Sequence, residues 1–190
     1  MGGQQVISEA GEKELLRIAR AVVEAVARGE RVPDCCSDLP ELEQPLGAFV
    51  TLHKGDELRG CIGTFVAEEP VSKVVAEMAE SSAMKDPRFP PLSERELPDI
   101  HIEISVLSPM WRTKDPLELE LGVHGIYIRH GWRSGTFLPQ VATEYHMTKE
   151  EFLSTCCAHK AGLSPDAWKD PATEVYLYTA QVFREKAGDR

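Results

Sequence analysis

The sequence predicts an α+β fold of mostly antiparallel sheets with packed helices, on three observations. Strand-like runs alternate with period two and arrive as hairpins or isolated stretches. Helical runs fall between them without the regular strand–helix–strand rhythm of a doubly wound sheet. A proline-rich interruption, residues 87–98, divides the chain and is the expected seam between two subdomains. At 190 residues, with 42% apolar and 27% charged side chains, the chain is long enough to bury a real core. A single domain of two subdomains over residues 9–185 is expected, with residues 1–8 and 186–190 as flexible ends.

Leu15, Ile18, Ala19, Val22, Val23 and Val26 recur at helical spacing, predicting an amphipathic helix from Glu9 to Arg28 that Gly29 ends. A Pro- and Asp-rich loop follows from Arg31 to Pro45. Gly47 to Lys54 alternates, with Ala48, Val50 and Leu52 on one face of a strand. Gly55–Asp56 is a hairpin turn into a second strand, ELRGCIGTF, residues Glu57 to Phe65. Pro70 suits the first turn of a helix whose buried stripe is Val71, Val74, Val75, Met78 and Ala79. Ile100, Ile102, Ile104 and Val106 make the clearest strand, and HGIYIRHG, from His124, makes another. Thr148 and Glu151 form a capping box that opens a helix running to Ala161, closed by Gly162. A final strand spans Glu174 to Phe183.

A formal net charge of -10 disfavours a chain whose work is gripping a nucleic-acid backbone, which needs a basic footprint. No stretch has the roughly 18–20 apolar residues of a membrane helix, and the N-terminus lacks a signal-peptide core. The five cysteines show neither C-x-x-C nor zinc-ribbon spacing. Nucleotide-loop, H-E-x-x-H and G-x-S-x-G patterns are missing as well. The expectation is a cytoplasmic protein with reduced thiols and no metal or cofactor, contacting neither nucleic acid nor membrane.

Two glycines and a thiol are unusual in a strand. Alternation places Arg59 and Cys61 on one face, roughly 6.6 Å apart along the strand, where a guanidinium favours a thiolate. Gly60 and Gly63 would let a ligand approach the backbone. Cys61 is therefore a candidate nucleophile and Arg59 an anion clamp. Against this, free cysteine often only fills space. A two-residue hairpin loop pairs Lys54 with Glu57 and sets Cys61 opposite Val50, among apolar residues. A three-residue loop sets Cys61 opposite Thr51 and Arg59 opposite His53. The first has the better turn and an opposite-charge cross-strand pair, so it favours a buried, structural thiol.

His124, between Gly122 and Gly125, is a candidate general base or a turn-holding side chain. Lys85, Asp86 and Arg88 either line a binding site or cap the preceding helix.

LRGCIGTF (Leu58 to Phe65), SAMKDPRFPPLSERELP (Ser82 to Pro98), LGVHGIYI (Leu121 to Ile128) and TFLPQVATE (Thr136 to Glu144) together closely resemble the AMMECR family. The resemblance runs from Leu15 to Phe183. It implies two subdomains flanking a cleft bordered by the RGCIG segment, with Arg59, Gly60, Gly63, Asp86 and Arg88 as binding residues. Bacterial and archaeal members look like protein A of the Ammecr–Memo–radical SAM system. That implies a Memo-like protein of dioxygenase-like fold and a radical SAM protein as partners. The implied role is a small-ligand-binding or accessory component; the alternative is a cysteine-dependent enzyme using Cys61, with His124 as base. Gln140 stands where glutamate is common in the family, so a mechanism needing a carboxylate there is lost. Cys35, Cys36, Cys156 and Cys157 lie outside these motifs and are assigned no role.

Overall fold

The computed structural model describes residues 7–34, 37–65 and 67–186. Cys35 and Cys36, residues 1–6 and residues 187–190 lie outside the described residues. The fold is α+β, with a seven-stranded antiparallel sheet. The chain divides into two compact units. The first runs to Leu107 and resumes at Gln181; the second is Ser108–Ala180. Both divisions fall outside residues 87–98, the expected seam. That segment belongs to the first unit, because Leu92 and Leu97 are buried in its core.

The first unit begins with α1 (Glu9–Arg28), capped by the Ser8 hydroxyl accepting from the Gly11 N–H and ended by Gly29 in the left-handed region. Strands β1 (Ala48–Lys54), β2 (Glu57–Thr64) and β3 (Ile100–Leu107) pair in the order β2-β1-β3. One face carries Val50, Leu52, Ile102 and Ile104 into a core shared with Leu15, Ile18 and Val22 of α1 and with Val71, Val75 and Ala79 of α2 (Val71–Met84). Both helices thus bury the stripes expected of them. The Arg20 guanidinium pairs with Glu185 and donates to the Ile100 carbonyl, and the Glu185 N–H donates to the Ile102 carbonyl.

The second unit holds β4 (Trp111–Arg112), β5 (His124–His130), β6 (Arg133–Phe137), α3 (Pro139–Glu144), α4 (Lys149–His159) and β7 (Glu174–Arg184) up to Ala180. β5 pairs with β6 and with β7, and β4 adds to β7. Ile126, Ile128 and Leu177 pack under Phe152, Leu153, Cys156 and Cys157 of α4. The Thr148–Glu151 capping box forms in both directions, as its spacing requires. No helix among the described residues is long and apolar enough to cross a membrane.

Candidate functional site

The unusual strand owes its shape to one extra residue. Lys54 pairs with Glu57 and His53 with Leu58, as a two-residue hairpin demands; then the register shifts, and Leu52 faces Gly60. Arg59 is the extra residue of a β-bulge. Cys61 consequently lies opposite Thr51, not Val50, which corrects the favoured register. It is half-buried, and its Sγ accepts a hydrogen bond from the Thr51 hydroxyl at 3.3 Å.

The glycines are filled from within the protein. A Cβ on Gly60 would fall on the backbone carbonyl of Ser82, and one on Gly63 would fall on the Phe49 ring. The close approach at Gly60 lets the Ser82 hydroxyl enter between the strands. It accepts from the Ile62 N–H at 2.8 Å and donates to the Val50 carbonyl at 2.7 Å. A buried serine of α2 therefore bridges β1 and β2. The open approach to the backbone that the glycines suggested is occupied by the fold itself.

β2 is a sheet edge, so half its backbone groups lack a strand partner. Two side chains supply one at Cys61. Its N–H donates to Asp86 Oδ2 at 2.9 Å, and its carbonyl accepts from Arg88 Nη2 at 3.1 Å. Asp86 is buried and also accepts from the Arg88 N–H at 3.1 Å and from Arg88 Nη2 at 2.6 Å. Asp86 and Arg88 thus imitate a neighbouring strand at that point. Arg59 turns to the same loop. Its Nε donates to Glu96 Oε1 at 2.9 Å and its Nη2 to the Pro90 carbonyl at 3.0 Å. Glu96 in turn accepts from the Ser93 N–H and hydroxyl. Both arginines lie against the Phe89 ring, 5.8 and 5.5 Å from its centroid. Arg59 Nη1 is buried without a hydrogen-bond partner among the described residues. Arg59, Cys61, Asp86 and Arg88 are therefore one network. Nε and Nη2 of Arg59 are committed to Glu96 and Pro90, and neither donates to the thiol.

These pairings displace two carboxyl groups from their ordinary range. The hydrogen bond from Arg88, against the opposing effect of burial, holds Asp86 well below the usual aspartate value, helped by the Cys61 N–H. Arg59 holds Glu96 at about 2, again against burial, with Ser93 contributing. The unfolded chain binds these protons more readily than the folded one. The pairs therefore stabilise fully above the ordinary carboxyl range, and that stability is lost as pH falls toward the depressed values. For Glu96 the window runs from 4.5 down to about 2. The urea midpoint should fall steeply below pH 4.5, and E96Q should flatten that slope; an unchanged slope contradicts the assignment.

His124, the candidate base, belongs to the second unit and Cys61 to the first. Its Nδ1 accepts from the Glu120 N–H at 3.0 Å, and its ring meets Trp111 edge-on. It holds the turn before β5. Cys156 and Cys157 are fully buried, and burial pushes both thiols up, which suits packing rather than reactivity. Gln140 lies in the first turn of α3, where the Thr143 hydroxyl donates to its carbonyl. Among the described residues no three His, Cys, Asp or Glu side chains are placed to hold a metal ion. Sequence reasoning missed Ser82 and Glu96. Ser82 opens the motif that contains Asp86 and Arg88, and the S-x-x-E spacing of Ser93 and Glu96 was a readable capping-box signal.

A family model described as AMMECR1 matches residues 16–183. A protein of Methanothermobacter thermautotrophicus is 45% identical over 185 residues, covering 90% of this chain and 92% of its own. One from Methanopyrus kandleri is 42% identical over 194 residues, covering 97% and 92% respectively. The crystal structure of the uncharacterized protein PH0010 from Pyrococcus horikoshii superposes with a TM-score of 0.85 at 37% identity, covering 95% of this chain and 94% of that one.

Proposed function

The chain belongs to the AMMECR1 family, and on that premise we propose that it is a cytoplasmic accessory protein. It presents a surface or small ligand to a Memo-like protein of dioxygenase-like fold, which acts with a radical SAM protein. The observation that carries this reading is the use of the motif's polar groups. Arg59 is bound by Glu96 and Pro90, and Asp86 and Arg88 are bound to each other and to the Cys61 backbone. Such a network fixes a loop against a sheet edge; a catalytic site would leave its donors aimed at the place where charge develops.

The competing reading is a cysteine-dependent activity. It is favoured by the half-buried position of Cys61 and by the hydrogen bond that the Thr51 hydroxyl donates to its Sγ. Thr51 and Arg88 donate hydrogen bonds to Cys61 and Asp86 accepts one from it, and none of these is a base suited to taking the thiol proton near neutral pH. Co-expression of the tagged chain with the Memo-like protein of the same organism tests the accessory role. Co-purification as a defined complex is expected; two proteins that elute separately at tens of micromolar overturn it.

A further inference from the structure

A cavity of about 710 Å³ lies wholly within the second unit, apart from the Cys61 network. Two buried apolar side chains, Trp168 and Val175, are among the residues that line it. Three cationic side chains stand around it, Arg112, Lys114 and Lys169, against one acid, Asp170. Two of these cations also face acids beyond the lining, Arg112 facing Glu174 and Lys169 facing Asp166, which leaves Lys114 as the cation without an ion pair among the described residues. Asp170 is engaged locally, its Oδ1 accepting the Ala172 N–H at 2.9 Å.

The cations keep donors to offer. Arg112 reaches Glu174 through Nη1 at 3.2 Å, but that carboxylate is shared with Arg129. Lys169 meets Asp166 at 2.6 Å in an exposed pair, which holds weakly in water, and its ammonium lies 5.1 Å from the Trp168 ring centroid. An arginine and two lysines suit an anion with several acceptor oxygens, and the small part of the Trp168 indole left uncovered by the core suits the apolar edge of a flat ring attached to it. The volume lies in the range of small-molecule sites.

We propose that this pocket binds a small organic phosphate carrying a flat, apolar-faced ring, of about the size of a mononucleotide. The site is independent of the partner reading above. Calorimetric titration of the full chain with AMP, adenosine and inorganic phosphate tests it. Saturable binding of AMP is expected, with adenosine and inorganic phosphate each at least about tenfold weaker, since each lacks one half of the recognition. Lys114 is exposed, so Lys114→Glu should unfold like the parent yet weaken AMP by at least about tenfold. Lys13→Glu, on α1 of the other unit, should leave AMP binding unchanged. No saturable heat with AMP, or equal affinity in Lys114→Glu, overturns the proposal. Inorganic phosphate binding as tightly as AMP overturns the ring requirement.

Discussion

Gly60→Ala is expected to destabilise the protein by about 3 kcal/mol, a cost typical of severe overpacking. The added methyl falls on the Ser82 carbonyl, a backbone atom of α2 that no rotamer change can move aside. Relief requires the helix to lift from β2. That movement breaks the Ser82 bridge and leaves the Ile62 N–H and the Val50 carbonyl short of partners in a buried place. Ser82→Ala removes the same bridge without the clash, so its cost should be smaller. The two changes share one interaction, and G60A/S82A should cost less than the sum of the single variants. Urea unfolding of the three variants checks this; strict additivity would mean that the glycine and the bridge act separately.

Asp86→Ala is expected to cost about as much, roughly 3 kcal/mol, by a different route. It removes a buried carboxylate that accepts from the Cys61 N–H and from Arg88. The edge of β2 then loses its substitute strand, and Arg88 loses the group that aims it at the Cys61 carbonyl. Asp86→Asn keeps the shape but one fewer acceptor, and should fall between parent and alanine. Arg88 is half exposed, so Arg88→Ala should cost less than Asp86→Ala. An Asp86→Ala protein as stable as the parent would show that water replaces the carboxylate at that edge.

What could be read from the sequence was local. α1 ends at a residue that declares itself, Gly29, and its apolar spacing names the face it buries. The same holds for β3, whose isoleucines alternate without interruption, and for the capping box at Thr148. The Ser8 cap of α1 and the buried Ile7 before it fall in a stretch expected to be a flexible end. Short elements carried too little pattern. β4 is two residues long, α3 is six, and β6 hides its alternation behind Ser134 and Gly135. The pairing of β1 with β2 shows the other limit. Both hairpin registers are realised in part, the two-residue one at Lys54 and the other beyond Arg59. The bulge that joins them is held by Pro90 and Glu96, 31 and 37 residues further on, contacts that strand periodicity does not encode. Residues 87–98 misled for a related reason. Their prolines break regular structure without freeing the segment, because Leu92 and Leu97 are buried and Pro90 receives Arg59.

The network was legible in part: Ser82 and Glu96 escaped sequence reasoning, and His124 belongs to the other unit. Arg59, Cys61, Asp86 and Arg88 do come together, but the contribution of Cys61 to the network is its peptide N–H and carbonyl. The most direct test therefore compares Cys61→Ala with Asp86→Ala, each measured for unfolding free energy and for association with the proposed partner, a Memo-like protein. Cys61→Ala should stay within about 1 kcal/mol of the parent, since it loses only a half-buried thiol, and should still bind the partner. Asp86→Ala should lose stability and partner together. A Cys61→Ala protein that unfolds like the parent yet no longer binds the partner would contradict the structural role and return the thiol to the centre of the function.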